Sequence, residues 1–335
     1  MPKNGISEKN ACWIGFDLGG TKMLAEVFDN QYRILGKKRR KTRGNGENAS
    51  PLDRIAATVR DALADAGREP DNLAGIGIGV PGPLDIEKGV LLESVNLGWD
   101  KLPLKAGLEK AFGCPVIVAN DVDVGLYGEY LFGAAQDARC AIGVFPGTGI
   151  GGACVYEGRI LRGKARSCFE IGHIQVLPDG PLCGCGQHGC LEAVASRLAV
   201  SSSAAAAAMR GEAPHLLAAQ GTDAAQIRSK ALADAVAAGD RAIETLVRDA
   251  ARWLGVGIAT AASLLAPDTV VLGGGMVEAM PDLFLKEAEA SARAHVMRSI
   301  RDTFAVEVAR LGDSAATLGA AAWARTCVDG ENGPS

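Results

Sequence analysis

The chain has 335 residues, 48% of them apolar, and a formal net charge of -4. That length fits two domains or one large one with ample core, and the acidic balance argues against general nucleic-acid binding, which wants a basic surface. No apolar run reaches the roughly 18 residues of a membrane helix, and the opening MPKNGISEKNACWIGF has no apolar stretch ahead of a cleavage site, so a cytoplasmic protein without a membrane partner is expected.

Strands are predicted at 12–18, 22–29 and 32–36, with a glycine turn after the first, and GKKRRKTRGNG at 36–46 is predicted as a basic loop. A helix fits 51–67, where Leu52, Ile55, Ala56, Val59 and Leu63 share one face. LAGIGIGVPGPLD reads as a strand closed by a Pro-Gly-Pro turn, followed by a helix at 104–112, a strand at 115–119 and a helix at 121–133. The pattern then repeats, with strands at 139–145 and 152–157 around a second glycine turn. After a cysteine cluster the chain turns helical, through the Ala-rich AVSSSAAAAAMR and a long apolar helix at 240–265. DTVVLGGG is a strand with a glycine exit, 281–299 a helix, 304–310 a strand and 314–325 a last helix. Alternation after each set of opening strands predicts an α/β architecture in two similar halves.

Two glycine loops occupy matching places in those halves, DLGGTK at 17–22 and PGTGIGG at 146–152, and a third lies in LGGGM at 272–276. Glycine lets a backbone approach a phosphate closely, and successive N–H groups form an anion nest. The candidate phosphate contacts are Gly19, Gly20, Thr21 and Lys22 in the first, Gly147, Thr148, Gly149 and Gly151 in the second, and Gly274 and Gly275 in the third. Gly147, Gly149 and Gly152 also fit G-x-G-x-x-G, but a dinucleotide fold needs a helix straight after that loop. ACVYEGRI is strand-like, which argues against a Rossmann oxidoreductase.

Cys183, Cys185 and Cys190 crowd into eight residues of CGCGQHGC, and His173 stands ten residues upstream. Three thiolates and an imidazole make a closed tetrahedral zinc site of structural type. His188 is a rival fourth ligand, set inside the tight loop. Such a site would do no chemistry itself; it would hold Glu170, His173 and Glu192 near one another, where carboxylates suit hydrogen bonding to adjacent sugar hydroxyls. Most of the other six cysteines read as small buried hydrophobes.

EIGHIQVLPDGPLCGCGQHGCLE resembles the signature of the ROK family, and GFDLGGTK, GIGVPGPLD, VNLGW, ANDVD and GTGIGG resemble that family's further motifs in order. The resemblance implies an actin/hexokinase-like (ribonuclease H-like) ATPase fold, two α/β domains with a cleft between them. The expected domains are 1–125 and 126–313, the second carrying the zinc site, with 314–330 packing back on the first. It implies ATP- and Mg²⁺-dependent phosphorylation of a hexose, glucose first, with an N-acetylhexosamine kinase and a non-catalytic sugar-binding regulator as alternatives. A homodimer is expected. Carried over by motif, Asp121 is the general base, and Asn96, Asn120, Asp121, Glu170, His173 and Glu192 bind sugar hydroxyls. Asp121 could equally be a plain helix N-cap. Asp17, ending a strand before the first phosphate loop, suits a water-mediated Mg²⁺ contact. Three departures stand out: Asp123 where the family has an amide, Cys168-Phe169 where it has Ala-Gly, and no proline before Asn96.

Overall fold

The computed structural model describes residues 11–42, 50–94, 98–164 and 167–330. The chain forms two compact units, one of Met1–Gln136, Cys154–Cys168 and Arg310–Ser335, the other of Asp137–Ala153 and Phe169–Ala309.

Unit one opens with β1 (Cys12–Leu18), β2 (Lys22–Phe28) and β3 (Ile34–Lys41), then α1 (Pro51–Asp65) and β4 (Leu73–Val80). A small antiparallel sheet follows, made of β5 (Leu84–Asp85), β6 (Val90–Ser94) and β7 (Trp99–Leu102), then α2 (Leu104–Phe112), β8 (Val116–Asn120) and α3 (Asp121–Phe132). The main sheet runs β3-β2-β1-β4-β8, with β1, β4 and β8 parallel. Ile14, Phe16 and Leu18 of β1 and Ile76 and Ile78 of β4 join Ile55, Val59 and Leu63 of α1 in a fully buried core.

The C-terminal helix, Ala315–Asp329, covers the opposite face at very short range. A Cβ on Gly15 would lie 1.8 Å from the Thr317 carbonyl oxygen, and one on Gly77 would lie 1.9 Å from that of Ala320. Only glycine admits a helix backbone this close, and the helix answers with small residues, Ala320, Ala321, Ala322 and Ala324, all buried. The same helix packs on α3, so the first break between the units falls after α3 rather than within it.

The basic segment is not wholly a loop. β3 continues to Lys41, and its cations alternate across the strand. Lys38 and Arg40 meet Asp61 of α1 at 3.3 and 2.6 Å, while Arg39 meets Asp313 at 2.6 Å. Residues 43–46 of the expected loop lie outside the described residues. Charges on an edge strand are satisfied along both faces, and that disguises the strand in the sequence.

Unit two is built around β9 (Cys140–Pro146), which is parallel to β12 (Thr269–Leu272), itself parallel to β13 (Ala305–Val308). β10 (Ile150–Tyr156) and β11 (Arg159–Ile160), counted with unit one from Cys154 on, complete a sheet of order β11-β10-β9-β12-β13. Helices α4 (Leu191–Ala195), α5 (Arg197–Met209), α6 (Pro214–Gln220), α7 (Ser229–Ala238) and α8 (Arg241–Leu265) precede β12, and α9 (Gly275–Ala279) and α10 (Pro281–His295) follow it. α8 buries Ile243, Val247, Leu254 and Ile258 at helical spacing and packs along α10. Among the described residues no helix is long and apolar enough to cross a membrane.

Candidate active site

In unit one the candidate residues gather at the carboxyl ends of the parallel strands, where open α/β sheets bind ligands. Asp17 ends β1 in register with Gly79 of β4. A Cβ on Gly79 would lie 3.2 Å from the Asp121 Cα, so this glycine is what lets Asp121 settle beside the strand that carries Asp17. β8 delivers Asn120 as the N-cap of α3, its Oδ1 accepting from the N–H groups of Val122 (2.9 Å) and Asp123 (3.2 Å). The cap is therefore Asn120 and not Asp121. Asp121 Oδ1 accepts from the Val122 N–H at 3.0 Å.

Burial pushes the Asp121 carboxyl up to about 6, against the lowering pull of the Val122 N–H. Asp17 is pushed up to about 7, first by burial and then by the charges of Asp121 and Asp313, with Arg39 opposing. Asp123 lives differently. It is 2% exposed and accepts the Ser167 hydroxyl at 2.6 Å. The extra carboxylate is thus tied inside the unit, away from solvent.

The first glycine loop is braced from β3's end by a residue the sequence did not single out. Thr42, buried, donates its hydroxyl to the Gly19 carbonyl at 2.6 Å and its N–H to that of Thr21 at 2.9 Å. Gly20, Thr21 and Lys22 are exposed. Asn96 lies outside the described residues.

In unit two, the second and third glycine loops share a face because β9 and β12 are parallel neighbours. The second closes on itself, Gly147 N–H to Gly149 C=O at 2.8 Å, with Thr148 exposed at its tip. Gly274, at φ +83°, caps α9, and a Cβ there would lie 2.9 Å from the Pro146 carbonyl oxygen.

Below these loops the sulfur ligands converge. The donor atoms of His173, Cys183, Cys185 and Cys190 all lie within 4.8 Å of one another. His173 Nδ1 stands 3.7 Å from Cys183 Sγ, and Cys185 Sγ 3.6 Å from Cys190 Sγ. Zinc–sulfur bonds of about 2.3 Å imply tetrahedral edges of about 3.8 Å, so the donor set fits a zinc ion. His188 turns away, its Nδ1 lying 3.0 Å from the Gly180 carbonyl oxygen. The tight course of the chain rests on Gly189, at φ +69°, where a Cβ would lie 1.7 Å from the Leu177 carbonyl oxygen.

Cys190 is also the N-cap of α4, which places Glu192 in the first turn. Glu192 Oε2 accepts the Ile150 N–H at 2.9 Å, and its Oε1 lies 3.8 Å from Cys183 Sγ. One carboxylate therefore links the thiol cluster to the second glycine loop. Glu170 precedes the short 3-10 turn Ile171–His173 and His173 ends it, and both are exposed. Phe169, next to Glu170, sits at φ +62°, a region costly for a bulky side chain, and its ring lies 3.0 Å from where a Gly152 Cβ would be.

Comparison with known proteins follows the same outline. The family model described as "ROK family" matches residues 13–327. A glucokinase of Streptomyces coelicolor is 34% identical over 318 residues, 93% of this chain and 97% of its own. A solved ROK family glucokinase from Streptomyces griseus, in complex with glucose and AMPPNP, is 34% identical with a TM-score of 0.77, covering 94% of this chain and 100% of its own. A xylose repressor of Caldicellulosiruptor bescii is 27% identical over 91% of this chain and 76% of its own length.

Proposed function

Since the chain belongs to the ROK family and is a sugar kinase of actin/hexokinase-like fold, we propose that it phosphorylates glucose at its primary hydroxyl, with ATP as donor. The observation that carries this reading is the state of Asp121. Asn120 relieves it of capping, Gly79 makes room for it, and burial raises its pKa toward the working range of a general base. Asp121 takes the proton of the sugar hydroxyl as that oxygen bonds to the terminal phosphorus, and ADP departs with the electrons of the broken bond.

The remaining roles divide by chemistry. The three glycine loops supply N–H donors to the donor's phosphates. Asp17, crowded by the charges of Asp121 and Asp313, is the residue that would hold a divalent cation, and Mg²⁺ bound there would supply charge neutralisation for the phosphates. Asn120 reaches sugar through its free amide end, and Glu170 and His173 offer exposed acceptors and donors for further hydroxyls. Glu192 has one carboxylate oxygen engaged by Ile150 and meets a sugar hydroxyl through the other, which lies 3.8 Å from Cys183 Sγ. The thiolate cluster with His173 holds zinc as a structural ion.

The Phe169 ring favours plain hexoses over N-acetylhexosamines, because it fills space beside Glu170 that a bulky 2-substituent would need. The decisive measurement is steady-state ADP formation with glucose, mannose, fructose, N-acetylglucosamine and N-acetylmannosamine. Turnover greatest with glucose is expected. Highest turnover with an acetylated sugar would overturn the specificity, and no turnover with any of the five would point to a sugar-binding regulator.

A further inference from the structure

Unit two carries a pair of arginines that none of these roles uses. Arg197 begins α5, and its backbone N–H donates to the Gly147 carbonyl at 2.9 Å. Its guanidinium reaches both ways, Nη2 to Thr148 Oγ1 at 2.9 Å and Nη1 to the Ile227 carbonyl at 3.5 Å. That carbonyl is fixed from a second side by the Ser201 hydroxyl at 2.6 Å, and Ile227 itself is buried. The next residue is Arg228, exposed, and after it Ser229, whose Oγ lies 3.4 Å from where a Gly275 Cβ would sit. One run of contacts thus joins the tip of the second glycine loop to the third, with two guanidinium groups on it.

Those two charges lack partners. Among the described residues no carboxylate lies within 4.0 Å of either guanidinium. Burial first, and the neighbouring Arg228 charge second, lower the pKa of Arg197. Like charges held together without a counter-ion are unfavourable, and the arrangement becomes favourable when an anion sits against it. Guanidinium is the group suited to that anion if it is a phosphate chain, because its planar fork bonds two phosphate oxygens at once.

We propose that Arg197 and Arg228 form a binding subsite for the phosphate chain of the donor, joining the second and third glycine loops. Arg197 serves twice, setting the Thr148 hydroxyl and contacting phosphate. Arg228, whose backbone caps α7, acts through the charge of its exposed side chain. The assignment rests on the reading of the protein as an ATP-dependent kinase, since that reading makes the glycine loops the donor's seat.

Arg228→Gln is the informative variant, because an exposed side chain without hydrogen bonds can be exchanged without disturbing the fold. It should raise the KM for ATP about three- to tenfold, more than it lowers kcat, as expected for one partly exposed charge contact. Inhibition by inorganic tripolyphosphate should weaken by a similar factor, while inhibition by adenosine stays unchanged. Arg197→Lys should keep more tripolyphosphate inhibition than Arg197→Met, with both melting temperatures recorded to identify misfolding. Unchanged ATP KM and unchanged tripolyphosphate inhibition in Arg228→Gln would make that arginine a solvated surface charge and overturn the subsite. Weaker adenosine inhibition with unaltered tripolyphosphate inhibition would overturn it too, placing the pair on the nucleoside. Calorimetric titration of tripolyphosphate into wild type and Arg228→Gln needs no turnover, so it tests the subsite even where the hexose panel gives none.

Discussion

Asp121 and Asp123 stand two residues apart on the first turn of one helix and meet different surroundings. Asp121 is released by the Asn120 cap, whereas Asp123 is buried under the Ser167 hydroxyl. Asp121→Asn should bind sugar with modestly reduced affinity and lose about 10²–10⁴ in kcat, the range of general-base catalysis. Asp123→Asn should keep most of its rate. Measuring kcat and sugar Kd for both separates them, and a fully active Asp121→Asn would remove the proposed base. The pH profile follows from the same carboxyl. A base must be deprotonated, so kcat/KM should rise with pH through about 6 and level off above. The pKa of Asp121 lies above its unfolded value, so the sign for stability is opposite: its contribution is full below about 4 and is lost as pH rises through 6. Asp121→Asn should therefore melt higher than wild type at pH 8 without ligands, and the gain should vanish near pH 4. Phe169 is a different kind of residue. Glycine accepts φ +62° without strain, so Phe169→Gly should fold and should relax discrimination against acetylated hexosamines. Unaltered sugar ratios in that variant would show that the ring does not select.

At the scale of elements, much was legible in the sequence. Apolar periodicity gave β1, α1, β4, β8 and α8 nearly to the residue, because each buries a continuous face. β3 was read short because its charges pair with Asp61 and Asp313, residues far along the chain. The β6–β7 hairpin was missed because Val90–Ser94 and Trp99–Leu102 are short and half polar. Of the candidate site, the cysteine spacing and the glycine loops announced themselves. Thr42, Arg197 and Arg228 did not, since each matters through a partner in another element. Two predictions belong here. A Cβ on Gly77 would meet the Ala320 carbonyl, so Gly77→Ala should cost about 3 kcal/mol or more in a denaturant titration, as overpacking a closed backbone contact does. Cys185 is one of the four donors of the proposed zinc site, so elemental analysis should find zinc in wild type and not in Cys185→Ser, whose melting temperature should be lower. Active wild-type protein free of metal would dismiss the zinc ion.

For the whole molecule, repetition is the main lesson. The chain has two five-stranded sheets, and in each of them glycine loops follow the carboxyl ends of parallel strands. The sequence showed this as two rounds of strand, glycine turn and strand. The visit of Cys154–Cys168 to unit one had no signal in the sequence pattern, whereas the family resemblance implied the return of 314–330, and Ala315–Asp329 lies against Gly15 and Gly77.

That return has a consequence for how the protein is made. As the chain leaves the ribosome, β1 and β4 emerge well before the helix that seals one face of their sheet, with about 230 residues between β4 and that helix. Until Ala315–Asp329 emerges, Trp13, Phe28 and Ala74 remain uncovered on that face. A waiting sheet with an uncovered apolar face is exposed to aggregation. A stalled or clipped product ending before Ala315 would lack not a tail but the lid of its earliest core.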